Sequence, residues 1–218
     1  MIKGAIFDQD GLLFDTESVY AKAWVEVSDR HGYGFTDAMT RRISGYGRGE
    51  IGSEIARLIA IDDVEGYIDE VMVRARELLL AAPPKLKPGA REILDACQKR
   101  GIKLALASSS PRDCIEWNLG STGLKPYFDA IVSGADVSRG KPNPDIFLLA
   151  ASKLGLAPED CAVFEDAFTG IQAAVKAGCR AVMIPDRRQP DESIRQVAQV
   201  FSSLEDVISS CFLPENLV

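Results

Sequence analysis

The chain of 218 residues contains a single histidine, His31. Any Ser-His-Asp triad or multi-histidine metal site would have to be built on that one side chain, so carboxylates must carry any acid–base work. The five cysteines are odd in number and include no CxxC pair, which indicates neither a disulfide framework nor a zinc site. Reduced thiols are expected. No apolar run approaches the roughly 20 residues that span a bilayer. The opening Met1-Ile2-Lys3-Gly4 lacks the apolar segment and cleavage site of a signal peptide. A cytoplasmic location with no membrane partner is the expectation. Positive charge is also scarce: 25 Lys and Arg against 32 Asp and Glu leave a net charge of −7. Non-specific nucleic-acid binding needs a basic face to neutralise phosphates, so no nucleic-acid partner is expected. A monomer is expected.

What is present has two textures. Short, apolar, unalternating runs at residues 2–8, 103–108, 130–133, 162–166 and 180–185, with a weaker one at 197–202, suit strands of a parallel sheet buried on both faces. Helical patterns lie between them. Residues 88–100 stop at Gly101, residues 168–177 stop at Gly178, and Asn143-Pro144 reads as an N-cap and first helical residue. This alternation predicts an α/β fold with a doubly wound, Rossmann-like parallel sheet. Residues 16–84 contain no convincing strand. Val64, Tyr67, Ile68, Val71, Met72, Ala75 and Leu78 mark one helical face, and Ile51, Ile55, Leu58 and Ile59 another, up to the boundary at Pro83-Pro84. The expected organisation is a core of residues 1–15 and 85–218 with a smaller all-helical cap domain at 16–84.

In an open parallel sheet, ligands bind outside the carboxyl ends of the strands. The first strand ends in Phe7-Asp8-Gln9-Asp10-Gly11 and the second in Ser108-Ser109-Ser110-Pro111. The third is followed by Gly140-Lys141-Pro142, and the fourth ends in Phe164-Glu165-Asp166. Crowded carboxylates repel unless a cation neutralises them. Hard oxygen donors with no soft ligand select Mg²⁺ over zinc or copper. Ser110 is expected to cap the next helix, with Pro111 at its first position; free N–H groups there attract an anion. Ser108 adds a hydroxyl and Lys141 a fixed positive charge. Together they read as an electrostatic clamp for a phosphoryl group. Of the two aspartates, one can attack phosphorus while the other handles the leaving-group proton.

These four segments, in order, resemble the four motifs of the haloacid dehalogenase (HAD) superfamily. The spacing from Asp8 to Ser108 leaves room for a helical cap after the first motif. Within the superfamily the chain is most similar to the β-phosphoglucomutase-like phosphatases. The resemblance implies Asp8 as nucleophile and Mg²⁺ ligand, and Asp10 as general acid and then base, its carbonyl also on the metal. It implies Asp166 as a further ligand and Glu165 as a ligand or a neighbour of one. Ser108 and Ser109 would hold phosphate, and Lys141 would neutralise charge and orient Asp8. The implied activity is that of a Mg²⁺-dependent phosphatase of small phosphorylated metabolites, sugar phosphates foremost, working through an aspartyl phosphate.

Two other readings stay open. A phosphosugar mutase of the β-phosphoglucomutase kind is one, although Tyr20 stands where such mutases carry a histidine. A silent phosphometabolite-binding module is the other, which the presence of Asp10 argues against. In the cap, the glycine-rich residues 44–49 are read as a substrate loop carrying Arg48 or as a plain turn. Arg41, Arg42 and Arg48 could greet an anionic substrate or form a solvated face. Tyr20 and Trp24 are read as core more readily than as ligand contacts.

Overall fold

A computed structural model describes residues 2–44, 46 and 48–210. In chain order the elements are β1 (Gly4–Phe7), α1 (Glu17–His31), α2 (Asp37–Ile43), α3 (Arg48–Leu58), α4 (Val64–Ala81), α5 (Ala90–Lys99), β2 (Lys103–Ser108), α6 (Arg112–Thr122), β3 (Ala130–Ser133), α7 (Asp145–Leu154), β4 (Cys161–Glu165), α8 (Phe168–Ala177), β5 (Arg180–Met183), α9 (Glu192–Arg195), β6 (Gln199–Val200) and α10 (Leu204–Ser209). All six strands are parallel, in the order β3-β2-β1-β4-β5-β6. The sheet is doubly wound and Rossmann-like. The order reverses between β1 and β4, so the carboxyl ends of these two strands flank the switch point where such sheets bind ligands.

The unalternating strand sequences are explained by burial on both sides. Phe7, Leu104, Leu106, Phe164 and Val182 face one apolar layer with α5, α6 and α10. Ile6, Ala105, Ala107, Val163 and Met183 face the other with α7, α8 and α9. Across the β1–β4 pair, Phe7 and Phe164 stack with centroids 4.6 Å apart.

Helices α1–α4 form their own apolar cluster. Trp24, Phe35, Ile55, Tyr67, Ile68 and Val71 are buried in it. The Trp24 ring meets Phe35 at 5.5 Å and Tyr67 at 5.3 Å, and the Tyr67 hydroxyl donates to the Trp24 carbonyl. The two chain segments joining these helices to the sheet run side by side. Asp15 N–H donates to Lys85 O, and Lys87 N–H to Leu13 O.

Several expectations are corrected. The weak run at 197–202 pairs only through Gln199–Val200. Helix α7 begins at Asp145, because Asn143 is used in a turn, its backbone N–H and side-chain amide both donating to Gly140 O. Pro111, with extended backbone, takes the cap position of α6, and Ser110 does not cap it. Gly45 and Gly47 of the glycine-rich segment, and Cys211, lie outside the described residues.

Candidate active site

The end of β1 turns sharply at Gly11, whose φ of +79° suits glycine. A Cβ there would collide with the Asp166 carboxylate, so the turn and the close approach both require its absence. This turn separates the aims of Asp8 and Asp10. Asp8 Oδ2 accepts from the Asp10 N–H at 2.8 Å, and Asp8 Oδ1 accepts from Lys141 Nζ at 2.5 Å. Asp10 Oδ2 accepts instead from Ser110 Oγ at 2.6 Å and Ser108 Oγ at 3.1 Å, with Gln9 Nε2 at 3.2 Å. The Ser110 hydroxyl expected at a helix cap is thus engaged on Asp10.

Lys141 ties the cluster together. Its ammonium donates to Asp8, to Glu165 Oε1 at 2.6 Å and to the Ala107 carbonyl at 3.2 Å. It stands 5.1 Å from the centroid of Phe147. Burial works against this charge, yet Asp8 and Glu165 outweigh it and hold the ammonium above its ordinary range. Glu165 Oε2 accepts from the Ala167 N–H. Burial pushes the Asp8 carboxyl up to about 7; Lys141 pulls against this, while Glu165 and Asp10 add to it. Asp166 is raised well above the carboxylate range, first by burial and then by the charges of Glu165 and Asp8.

Asp8, Glu165 and Asp166 each bring one carboxylate oxygen within 4.8 Å of the others. Burial first, and then one another's charges, which a single ammonium does not balance, make Asp8 and Asp166 resist ionisation. An all-oxygen, charge-deficient cluster of this size suits a hard divalent cation.

The cluster opens into a cavity of about 390 Å³. Its sheet side carries Asp8, Asp10, Ser109, Ser110, Lys141 and Asp166; its helical side carries Tyr20, Trp24, Thr40, Ser44, Tyr46 and Met72. Ser108 is fully buried behind Ser110. Trp24 is both core and cavity wall. Burial and the Asp10 charge raise the Tyr20 phenol, against a hydrogen bond with Ser110.

Arg48, expected as a substrate contact, is not on this wall. It is held at the exposed surface by Glu65 (3.0 and 2.8 Å) and Asp69 (2.7 Å) of α4. Arg42 is likewise engaged, with Glu54 at 2.5 Å. The guanidinium that reaches the cavity is Arg187, two residues past Pro185 at the carboxyl end of β5. Its Nη1 donates to Thr40 Oγ1 at 3.1 Å, and its Nε lies 3.8 Å from Glu17 Oε2. Applying the strand-end rule to the fifth strand as well would have found it.

A doubly wound sheet with a buried acidic cluster and a lysine at its switch point is the frame of a Rossmann-like α/β enzyme. The comparisons narrow the class. The model of the haloacid dehalogenase-like hydrolases matches residues 2–178, and the chain belongs to that family. A phosphorylated carbohydrates phosphatase of Thermotoga maritima is 35% identical over 182 residues, covering 83% of this chain and 84% of its own. The fructose-1-phosphate phosphatase YqaB of Escherichia coli is 36% identical over 182 residues, covering 82% and 94%. A solved HAD family hydrolase of Deinococcus radiodurans, with bound phosphate and sodium, superposes with a TM-score of 0.76 at 26% identity, covering 94% of this chain and 93% of its own. Among the described residues, no helix is long and apolar enough to cross a membrane.

Proposed function

We propose that this chain is a Mg²⁺-dependent phosphatase of small phosphorylated metabolites, sugar phosphates foremost, that works through an aspartyl phosphate on Asp8. The observation that carries the reading is the division of labour between two aspartates two residues apart. Asp8 is held by Lys141, as a nucleophile needs to be. Asp10 is held by hydroxyls, as a residue that must give and take a proton needs to be.

In the first step an Asp8 carboxylate oxygen bonds to phosphorus as the ester oxygen departs, and Asp10 gives that oxygen its proton. In the second, Asp10 takes a proton from water, the water oxygen bonds to phosphorus, and the bond to Asp8 breaks. Lys141 balances charge on Asp8 throughout. Ser109 and Ser110, on the cavity wall, would meet phosphate oxygens once Asp10 turns toward substrate, with the buried Ser108 hydroxyl, which accepts from the Ser110 N–H, supporting them from behind. Asp8, Asp166 and the Asp10 carbonyl would hold Mg²⁺, which supplies charge neutralisation for the phosphoryl group. Glu165, with both oxygens engaged, stands behind them. Residues 16–84 act as a cap domain over the core of 1–15 and 85–218, closing to exclude water and opening for exchange. The named substrates of the Thermotoga and Escherichia relatives support a sugar phosphate.

The test is phosphate release from a panel of hexose and pentose monophosphates with Mg²⁺ and with EDTA. Metal-dependent release from a few sugars is expected. Release that EDTA leaves untouched, or none from any monophosphate, overturns the reading.

A further inference from the structure

The cavity carries five carboxylates, Asp8, Asp10, Glu17, Glu165 and Asp166, against two cations, Lys141 and Arg187. Lys141 is engaged by Asp8 and Glu165 at the phosphoryl end. Among the described residues, Arg187 is the other cation on the cavity wall. It comes from the sheet side and reaches across to α1 and α2, where Glu17 and Thr40 meet it. Glu17 Oε2 also accepts from Ser44 Oγ at 2.7 Å, so four polar side chains form one connected group on the wall.

Around this group Asp10 and Asp186 add negative charge close to Glu17. Glu17 faces Arg187, and Asp186 faces Lys87 at 2.6 Å. The next arginine, Arg188, lies over the Phe168 ring, 3.9 Å from its centroid, and 5.2 Å from the centroid of Tyr46, so its charge is engaged by two rings and it does not itself line the cavity. Arg48 and Arg42 are engaged elsewhere, as described above. A second phosphate entering here would find a guanidinium already facing a carboxylate, and would bring its own charge against Glu17. A hydroxyl would find both a donor and an acceptor, and vicinal hydroxyls could use Arg187 and Glu17 together. Tyr20 and Trp24 offer apolar ring surface beside them.

We infer that Glu17 and Arg187 form a specificity pair on the cavity wall, where the sheet side meets α1 and α2, which selects phosphomonoesters with a neutral, polyhydroxylated leaving group and rejects those bearing a second phosphate. This rests on the phosphatase reading and sharpens its substrate class. It also bears on the mutase alternative, whose bisphosphate intermediate must seat two phosphates at once.

The experiment compares kcat/KM for a hexose monophosphate and the corresponding hexose bisphosphate, with p-nitrophenyl phosphate as a reporter of phosphatase chemistry. The parent enzyme is expected to favour the monophosphate by at least about tenfold. In Glu17→Gln, which leaves Arg187 without its counter-charge, the ratio of bisphosphate to monophosphate kcat/KM is expected to rise about tenfold. In Arg187→Gln, the preference for the hexose monophosphate over p-nitrophenyl phosphate is expected to shrink by a similar factor. A ratio is read in each case, so a general loss of fold or activity does not imitate the effect. A parent enzyme that takes the bisphosphate equally well overturns the inference, as does an unchanged bisphosphate ratio in an active Glu17→Gln variant. Failure of the parent to hydrolyse p-nitrophenyl phosphate and every sugar phosphate overturns the phosphatase reading itself.

Discussion

The two sides of the cavity differ in how their polar groups are held. On the sheet side, charged groups sit at strand ends that are themselves buried, and they bind one another: Asp8 to Lys141, Lys141 to Glu165, Asp10 to two serines. On the helical side, most of the wall is rings, hydroxyls and apolar side chains, supported by an aromatic cluster that shares no member with the two sheet layers. On the proposed reading, the reaction itself takes place where the backbone is most constrained. On the same reading, recognition of the rest of the substrate falls to helices joined to the sheet by two short segments, together with Arg187 from the sheet side. Changes in the acidic cluster should affect turnover and metal response, and changes in the Glu17–Arg187 pair, which joins the two sides, should affect substrate choice.

The largest expected contrast is in turnover. Asp8→Asn removes the proposed nucleophile and should lower phosphate release by about 10⁴-fold or more. Arg48→Ala, on the outer surface of the helical side, should change kcat/KM by less than about twofold on a sugar monophosphate. A tenfold loss in Arg48→Ala would restore that residue as a substrate contact and blur the division. Next comes stability. Lys141→Ala leaves buried carboxylates without their cation and should cost about 3–5 kcal/mol in the metal-free protein, read as the midpoint of urea unfolding. The exposed Arg48 pairs are screened by solvent and should contribute about 1 kcal/mol or less.

The metal response is smaller but has a defined sign. In the metal-free fold the Asp8 carboxyl titrates at about 7, against an ordinary value of 3.8. Between these values the folded chain binds more protons than the unfolded one, so this group makes stability fall as pH rises from about 4 to 7. Below that window both states are protonated, and above it both are ionised. A divalent cation replaces the proton as counter-charge. Thermal unfolding should therefore show more stabilisation by Mg²⁺ at pH 8 than at pH 5. At 100 times Kd, binding is worth about 2.7 kcal/mol, or about 5–10 °C in Tm for a chain of this size. Asp166→Asn should raise the metal-free Tm by a few degrees at pH 8, because burial and its neighbours all disfavour its charge, and should abolish most of the Mg²⁺ shift. Equal Mg²⁺ shifts at the two pH values would count against the charge-deficit account.

The sheet side was also the more legible in the sequence. Asp8, Asp10, Lys141, Glu165 and Asp166 each come after a short apolar run, and a parallel sheet gathers the carboxyl ends of such runs along one edge. The α8 stop at Gly178 is local too. Contacts between distant segments were not legible. The spare charge assigned to Arg48 is taken by Glu65 and Asp69, which only the packing of α3 against α4 brings near. Ser110 looked like a cap because it precedes Pro111, but its hydroxyl goes to Asp10, 100 residues earlier. Arg187 depends on β5 lying beside β4 and on α2 lying over both the strand end and the cavity. Its place past the fifth strand end was readable, but its partners Thr40 and Glu17 were not.

The paired segments at the base of the helices have one more consequence. Because Asp15 is bonded to Lys85 and Leu13 to Lys87, the sheet meets the intervening stretch as a loop already closed at its neck. Closure entropy grows only logarithmically, at about 0.6 kcal/mol per doubling of length. The sheet is then nearly indifferent to how many residues lie beyond the neck, or to their order. Such a junction lets a lineage exchange or rebuild everything above it while leaving the inherited reaction below undisturbed.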